Sequence, residues 1–454
     1  MYPALQIKPE DIDTPEKRGK YTVGIIGCGR LGVFHAWLSA EKGFKVYCAD
    51  TDRTIISNIA KGKLPFIQRE IALKLRNHIK DGSLNITTDI KVAASQSNII
   101  VITVPAEIDD KEKVDYSKIE HACKHVGLGL QRGSLIIITG VVGVGVTQSL
   151  IRENLENASG TKCGVDFGLV YSPVQSLHEQ TLEAIEKGDR IVAALDKSSL
   201  NAASAFLEAI IKGNVKKTLN VKMVEAVTLF EAVQNDVNLA LAREFAIFCE
   251  NAGVDYIEAT KLKVKDARIN ETPSALFNDA PFREPYLLIE DSENLNLKTR
   301  IPKVAREINM TIAKHATNLI RDALKNCSKT TRRARVALLG VTYAKNTQAP
   351  PKKIAMELIK MLTTKGVRLS VYDPYISTEE TSEVPNLKKN LTDALEGADC
   401  VAILTGHDEF KKLDLKELKV VMKMPAAVVD FEGIMEPLEV EKEGFIYRGL
   451  GRGV

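Results

Sequence analysis

Three glycines and one aspartate near the start of the chain have the types and spacing of a phosphate-binding turn. Gly27, Gly29 and Gly32 follow the short apolar run Val23–Ile26, which is typical of a strand buried in a parallel sheet. Such glycines allow a tight turn, close approach of the backbone to a pyrophosphate, and close packing of the next helix. Asp50 follows after roughly 20 residues, where a carboxylate can bind both ribose hydroxyls of NAD and repel a 2′-phosphate. The pattern predicts an NAD site, and the alternative is an empty turn of the same shape kept for packing.

The segments around the glycines are those that a dinucleotide site requires. A helix is predicted from Phe34 to Lys42, and its N-terminal N–H groups would face the phosphates. Gly43 ends this helix, and the second strand is predicted over Phe44–Asp50. The predicted cofactor-binding residues are Gly27, Gly29, Arg30, Leu31, Gly32, Asp50, Arg53, Val104 and Pro105.

The composition is that of an ordinary globular protein, with 44% hydrophobic and 27% charged residues among 454. This length predicts two or three domains, and a net charge of +3 is too small to indicate a nucleic-acid partner. The seven cysteines are scattered without a C-x-x-C pair, which predicts a cytoplasmic protein with neither a disulfide framework nor a metal site. Residues 1–20 are polar, so no signal peptide is expected, and the most apolar run, Leu135–Val146, is too short to cross a membrane.

Apolar runs and helical patterns alternate from Tyr21 to about residue 210, which predicts a doubly wound parallel sheet. From Val221 to Asn251, apolar residues recur at helical spacing without Pro or Gly, which predicts one long helix. A second βαβ pattern begins at Arg335 without the glycine fingerprint, so no second dinucleotide site is expected. The predicted fold class is α/β, with two Rossmann-like domains of doubly wound parallel sheet joined by a long helical spacer. The predicted boundaries are 1–20 for an N-terminal tail, 21–215 for the NAD-binding domain, 216–328 for the spacer and 329–454 for the C-terminal domain.

This plan and several motifs resemble the UDP-glucose/GDP-mannose/UDP-N-acetylmannosamine dehydrogenase family from Tyr21 to Gly453. The motifs are the glycine turn 27–32, Val46–Asp50, Tyr171–Pro173, Glu225, Asp236–Asn238, Glu244, Gly253–Asp255, Val371–Pro374, Thr405–Phe410 and Gly449–Gly453. The resemblance implies NAD as cofactor, a nucleotide sugar bound by the domain 329–454, and oxidation of a sugar alcohol to a carboxylate in two hydride transfers. A spacer of this kind commonly forms a dimer interface, which predicts a homodimer through the 221–251 helix; burial inside one chain is the alternative.

The family's chemistry depends on a cysteine thiolate that captures the aldehyde, and on a lysine and an asparagine that stabilise developing negative charge. Matching the motifs puts Ala280 at the cysteine position, Thr228 at the lysine position and Ala232 at the asparagine position. No cysteine lies between Cys249 and Cys327, so a small shift of the alignment cannot supply one. Other motif positions also differ, at Ala106, Thr139–Val141, Val174–Gln175 and Thr347–Lys352. The family's four-electron oxidation is therefore not expected here.

The sequence leaves two main hypotheses for function, and a purely structural role is a third. The first, slightly favoured, is an NAD-dependent oxidoreductase that oxidises a CH–OH group of a UDP-sugar or related ligand in one two-electron step. The second is an inactive homologue that binds NAD and a nucleotide sugar as a sensor or partner subunit. The candidate catalytic residues are Thr228, Asp279 and Glu225, with Asn278, Glu231 and His178 as weaker candidates; the candidate substrate-binding residues are Asn238 and Arg452. A further set is either solvated surface or a cluster that meets a diphosphate, namely Lys345, Lys352, Lys353 and Arg448.

Overall fold

The chain forms two compact units. The first unit comprises Met1–Val233 and Pro281–Thr299, and the second comprises Gln234–Ala280 and Arg300–Val454. A computed structural model describes residues 4–62, 64, 69–109, 111–174, 182–262, 276–279, 283–346, 348–376 and 384–453. The predicted fold class is confirmed, because each unit contains a Rossmann-like sheet and a long helix lies between the two sheets in the chain.

The sheet of the first unit has eight strands. They are β1 (Thr22–Ile26), β2 (Lys45–Ala49), β3 (Leu84–Thr87), β4 (Ile99–Ile102), β7 (Leu135–Ile138), β8 (Gly168–Tyr171), β9 (Arg190–Ala194) and β10 (Val215–Thr218), while β5 (Glu107–Ile108) and β6 (Val114–Asp115) form a separate ribbon. The strand order is β10-β9-β8-β7-β4-β1-β2-β3. The connections reverse direction between β1 and β4, which opens a crevice at their carboxyl ends.

The last two strands of this sheet differ from the sequence prediction in their direction. β9 pairs antiparallel with β8, and β10 pairs parallel with β9, so both run against the other six. The pattern of a buried apolar strand is the same in either direction, since it records burial and not polarity. The sequence pattern therefore cannot assign the direction of β9 or β10.

The described helices lie mainly between the strands. They are α1 (Pro15–Arg18), α2 (Arg30–Glu41), α3 (Arg53–Lys61), α4 (Arg69–Lys80), α5 (Ile90–Ser95), α6 (Ser117–Gly129), α7 (Arg152–Ser159), α8 (Leu182–Lys187), α9 (Lys197–Ile210), α10 (Val221–Ala252), α11 (Tyr256–Lys261), α12 (Glu284–Asn294), α13 (Ile301–Met310), α14 (Ile312–Asn326), α15 (Lys353–Thr364), α16 (Leu391–Leu395), α17 (Leu415–Val421) and α18 (Pro437–Lys442). Residues near the N-terminus contribute Ala4, Ile7 and Ile12 to the core of the first unit, although the sequence analysis treated 1–20 as a separate tail.

The long helix α10 has the length that the sequence predicts, since it runs without a break over 32 residues. No proline or glycine interrupts it, and either residue would weaken a helix interior. Several large apolar side chains on it are exposed, namely Met223, Phe230, Leu241, Phe245 and Phe248. In the described part of the chain, no helix is both long and apolar enough to cross a membrane.

The second unit contains a five-stranded parallel sheet with helices on both faces. Its strands are β11 (Arg335–Leu339), β12 (Arg368–Tyr372), β13 (Cys400–Ile403), β14 (Ala427–Asp430) and β15 (Ile446–Gly449), in the order β12-β11-β13-β14-β15. Two helices, α13 and α14, precede this sheet in the chain and are separated at Thr311. The Thr311 hydroxyl donates to the Ile308 carbonyl at 2.8 Å, a back-bond that competes with the regular helix pattern.

Candidate cofactor and substrate sites

The glycine turn between β1 and α2 has the shape of a phosphate cradle. Gly27 has a φ of +93°, which side chains rarely tolerate, and Gly29 is the N-cap of α2. A Cβ atom at Gly32 would lie 1.8 Å from the Gly27 carbonyl oxygen, so this position must lack a side chain. A Cβ at Gly29 would meet nothing within 4 Å, which leaves open space above the helix N-terminus. The turn thus has room for a phosphate where α2 presents its N–H groups.

Asp50 follows β2 and faces the glycine turn. Its Oδ2 accepts the backbone N–H of Cys28 at 2.7 Å, and its Oδ1 accepts the N–H of Asp52 at 2.9 Å. The side chain is half-buried. A carboxylate has about four acceptor positions, so about two are left for other donors. Asp50 can therefore accept the two hydroxyls of a ribose while the turn fixes its position.

A cavity of about 670 Å³ opens between the carboxyl ends of β1, β2 and β4. The lining residues are Ile26, Gly27, Gly29, Ala49, Asp50, Thr51, Asp52, Ile55, Ile90, Thr103, Val104, Pro105, Glu107, Ser117, Lys118, His121 and Ala122. Five of the nine predicted cofactor residues line this cavity: Gly27, Gly29, Asp50, Val104 and Pro105. Its volume lies in the range of cofactor pockets, and the open cradle, the carboxylate and the apolar lining fit NAD.

The other predicted cofactor residues lie close to the cradle. Arg30 and Leu31 form the first turn of α2, Gly32 packs directly below the turn, and Arg53 begins α3. The sequence analysis missed the residues of α6 that line the cavity, which include Ser117, Lys118, His121 and Ala122. No local pattern in the sequence indicates which face of this helix lies over the cleft.

Glu225 and Thr228, two candidate catalytic residues, are buried on α10 in the first unit and make structural hydrogen bonds. The Glu225 carboxylate accepts the backbone N–H groups of Gly145 at 2.6 Å and Thr147 at 2.9 Å. Burial raises the pKa of Glu225, while these N–H groups act in the opposite direction. The Thr228 hydroxyl donates to the Val224 carbonyl at 2.8 Å, one turn earlier in the same helix.

The loop after β7 is held by two further side chains that the sequence analysis did not select. The N–H of Gly143 donates to the Tyr116 hydroxyl at 3.0 Å, and the N–H of Val144 donates to Asp291 Oδ2 at 2.7 Å. Burial raises the pKa of both Tyr116 and Asp291. The backbone of this loop, at the carboxyl edge of the sheet, is therefore fixed by side chains from α12, from α10 and from the start of α6.

Asp279, the third candidate catalytic residue, lies in the second unit and caps α15. Its two carboxylate oxygens accept the N–H groups of Lys353 and Ile354, each at 2.9 Å. A carboxylate at a helix N-terminus is stabilised by the exposed N–H groups and by the helix dipole. In this structure the Asp279 side chain therefore makes contacts typical of a helix cap.

Two buried cations hold the backbone that precedes this cap. Arg243 donates to the carbonyl groups of Leu276 at 2.9 Å and Asn278 at 2.7 Å. Lys352 Nζ donates to the carbonyl group of Phe277 at 3.3 Å. The interpretation of Lys352 as a solvated surface residue is wrong, because its side chain is only 2% exposed. These bonds link α10 and the start of α15 to the short segment 276–278.

At the carboxyl edge of the second sheet, Lys345 and Lys352 share one carboxylate. Lys345 Nζ lies 2.7 Å from Glu432 Oε2, and Lys352 Nζ lies 3.6 Å from Glu432 Oε1. The Lys345 side chain is 42% exposed, whereas that of Glu432 is 1% exposed. Burial lowers the pKa of Lys352, and Glu432 acts against this shift. Lys353 is exposed and Arg448 is half-buried.

The two candidate substrate-binding residues are placed differently. Asn238 is exposed on α10. Arg452 is 9% exposed and forms an ion pair with Asp255. Among the weaker catalytic candidates, Glu231 is half-buried on α10, and burial raises its pKa. Ala280 and His178 lie outside the described residues, as do Gln175 and Thr347.

Asp373 follows β12 as Asp50 follows β2, but its carboxylate is fully engaged. Its Oδ2 accepts the N–H groups of Val341 and Thr342 and the Thr342 hydroxyl, and its Oδ1 accepts the N–H of Tyr375. The residue is 5% exposed. This arrangement gives a physical reason to expect no second dinucleotide in this unit. Among the described residues there is also no group of three or more His, Cys, Asp or Glu that could hold a metal ion.

Comparison with known proteins gives matches over most of the chain. Residues 21–212 match the NAD binding domain of the UDP-glucose/GDP-mannose dehydrogenase family, and residues 337–437 match its UDP binding domain. The UDP-N-acetyl-D-mannosamine dehydrogenase of Pyrococcus horikoshii is 28% identical over 95% of this chain and 99% of its own. The UDP-glucose 6-dehydrogenase of Bacillus subtilis is 25% identical over 95% of this chain and 93% of its own.

The solved structures agree with these matches. A structure of the Pyrococcus horikoshii UDP-D-ManNAc dehydrogenase superposes with a TM-score of 0.84 at 27% identity, covering 95% of this chain and 99% of that one. The matched NAD binding domain contains the glycine turn, Asp50 and the cleft between them. The chain therefore belongs to the UDP-glucose/GDP-mannose dehydrogenase family.

Proposed function

We propose that this protein is an NAD-dependent oxidoreductase that oxidises a CH–OH group of a UDP-sugar in one two-electron step. The observation that carries the proposal is the cleft of the first unit, with open space above Gly29 and acceptor positions left on Asp50. When bound there, NAD supplies a hydride acceptor for the alcohol carbon. The match of residues 337–437 to a UDP binding domain supports a UDP-sugar as the second ligand.

The limit to one step is proposed because the second oxidation of the family needs a thiolate. The sequence has Ala280 at the position that resembles the cysteine motif, and no cysteine from 250 to 326. The flanking Cys249 and Cys327 are buried, and burial raises the pKa of each thiol. An aldehyde or ketone formed in the first step would therefore be released as the product.

A second candidate function is a binding protein that takes up NAD and a nucleotide sugar without turnover. The environment of the candidate catalytic residues favours this second function. Glu225 and Thr228 are buried and use their polar atoms inside the fold, since Glu225 accepts two backbone N–H groups and Thr228 donates within its own helix. A general base needs a lone pair that faces the substrate proton. Such a protein would act as a sensor or as the partner of an active relative.

For the nucleotide sugar, we propose Lys345 as a ligand of the diphosphate. It lies at the carboxyl edge of the second sheet, where ligands of open α/β sheets bind, and its side chain is 42% exposed. Asn238 is retained as a second contact because it is exposed. Binding of the diphosphate would draw Lys345 from its ion pair with Glu432, and Arg452 would have to leave Asp255. The names of the relatives make UDP-glucose and UDP-N-acetylmannosamine the first sugars to test.

We also propose a cytoplasmic homodimer built on α10. The exposed apolar side chains of this helix include Phe230, Phe245 and Phe248, which are 57%, 36% and 68% exposed. Exposed apolar groups of this size along one helix favour burial against another surface. All seven cysteines are free, which supports a reducing compartment.

The deciding experiment measures NADH formed per molecule of sugar, together with NAD binding, for UDP-glucose and UDP-N-acetylmannosamine. One NADH per sugar supports the two-electron proposal. Two NADH per sugar would contradict it and would require another group in place of the thiol. NAD binding without turnover on either sugar would support the second candidate. Failure to bind NAD would overturn both.

A further inference from the structure

A histidine pair stands at one end of the NAD cleft, and neither proposed function uses it. His121 and His125 lie one turn apart on α6, with ring centroids 4.3 Å apart and an interplanar angle of 43°. His121 lines the NAD cleft, and His125 does not. Both line a second, outer cavity of about 420 Å³ together with Leu128. We call these two residues the histidine wall.

The order of groups along the cleft indicates which part of the cofactor meets this wall. The glycine turn receives the pyrophosphate, and Asp50 accepts the hydroxyls of the adenosine ribose. Part of the apolar lining, namely Ile55, Ile90 and Ala122, suits a flat heteroaromatic base. His121 and Ala122 both line the cleft, so the His121 ring borders this apolar region.

His121 also separates the two cavities. Thr51, Ile90 and His121 line both the cleft and the outer cavity, so they form the partition between them. His121 is exposed, and its pKa is lowered by partial desolvation and by the neighbouring His125 and Lys124. A neutral imidazole at this position can stack on a nucleobase without bringing a charge into the cleft.

We infer that the histidine wall forms the adenine end of the cofactor site and limits the size of the base that fits there. His121 contacts the base, and His125 supports its ring from the outer cavity. The inference rests on the NAD binding domain and not on the proposed oxidation, so it holds equally for an active enzyme and for a binding protein. Removal of the His121 ring would join the two cavities and leave the base without its stacking partner.

The test measures dissociation constants for NAD, AMP and 1,N6-etheno-NAD, an analogue with an enlarged fluorescent adenine. The variants are His121→Ala, His121→Phe and His125→Ala, with Lys124→Ala as the matched control on the same helix. Stacking on one base typically contributes enough that His121→Ala should weaken NAD and AMP about fivefold or more. His121→Phe should restore affinity to within about twofold, because an aromatic ring is retained.

The enlarged base tests the size limit separately from stacking. Wild-type protein should bind etheno-NAD about tenfold more weakly than NAD, and His121→Ala should bring this ratio close to one. His125→Ala should lower this ratio by a smaller amount, and Lys124→Ala should leave the ratio unchanged. Any one of three results would overturn the inference. They are an unchanged AMP affinity in His121→Ala, an unchanged ratio of etheno-NAD to NAD dissociation constants in that variant, and an equal loss of NAD and AMP affinity in Lys124→Ala.

Discussion

Gly29 and Gly32 stand three residues apart in one turn, yet their substitution should have opposite consequences. At Gly29, φ is −66°, which any residue adopts, and a Cβ would meet nothing within 4 Å. Gly29→Val should therefore fold, with a loss of at most about 1 kcal/mol for the changed N-cap. At Gly32, a Cβ would lie 1.8 Å from the Gly27 carbonyl oxygen, so the backbone itself must move. Gly32→Ala should lower the free energy of unfolding by more than about 3 kcal/mol.

The effect on NAD follows from the same geometry. The valine side chain of Gly29→Val would fill the space in which a phosphate approaches the N–H groups of α2. Loss of two charge-assisted hydrogen bonds at about 1.5 kcal/mol each corresponds to at least about a hundredfold weaker binding. Calorimetric titration with NAD measures this loss, and urea unfolding measures stability. Wild-type NAD affinity in Gly29→Val would refute the cradle, and wild-type stability in Gly32→Ala would refute the close-packing argument.

Four further predictions concern other parts of the chain. Burial lowers the pKa of His35 to about 3, below its ordinary 6.5, so the unfolded chain binds the extra proton and stability falls as the pH falls. Between pH 7 and pH 5 the free energy of unfolding, measured in urea, should fall by about 2 kcal/mol. His35→Leu should reduce this dependence on pH, and an equally steep dependence in the variant would contradict the role of His35. Arg243→Met leaves buried carbonyl groups without their donor and should lower the free energy of unfolding by about 3 kcal/mol or more. Lys325→Met, at an exposed position, serves as the control. Equal losses in the two variants would argue against a structural role of the Arg243 hydrogen bonds. Asp50→Arg should weaken NAD at least about tenfold in the same titration, since it removes two ribose acceptors, and unchanged affinity would exclude the ribose role. Phe245→Glu combined with Phe248→Glu should give a monomer in sedimentation velocity, and a retained dimer would exclude this face of α10.

The parts of the fold that sequence reasoning located well are those set by local chemistry. The first strand was predicted over Val23–Ile26 and β1 runs over Thr22–Ile26, because an apolar β-prone run is bounded there by turn residues. α10 ends within one residue of its prediction, since no Pro or Gly interrupts it. α2 begins at Arg30, before the predicted Phe34, because Gly29 serves as its N-cap inside the turn. The glycine spacing likewise indicated the cradle.

The side-chain environments at the sites could not be predicted in this way. Asp279 was selected as a possible base for its type and position, yet its carboxylate caps a helix 74 residues further along the chain. Glu225 accepts N–H groups from a loop 80 residues away. Lys352 has the composition of a surface residue and is buried beside Glu432. In each case the burial and hydrogen-bond partners of the group come from segments that are distant in sequence.

By itself, the sequence determined the glycine turn, the alternation of strands and helices in the two sheet-forming regions and the long spacer helix. Each follows from steric limits and burial patterns within a few neighbouring residues. Only the tertiary structure decided the direction of β9 and β10, the position of α6 over the cleft, and which carboxylates remain able to accept a proton or a hydroxyl. Those properties depend on contacts between segments far apart in the chain, because a hydrogen bond or a partition between cavities exists only once both sides have folded together.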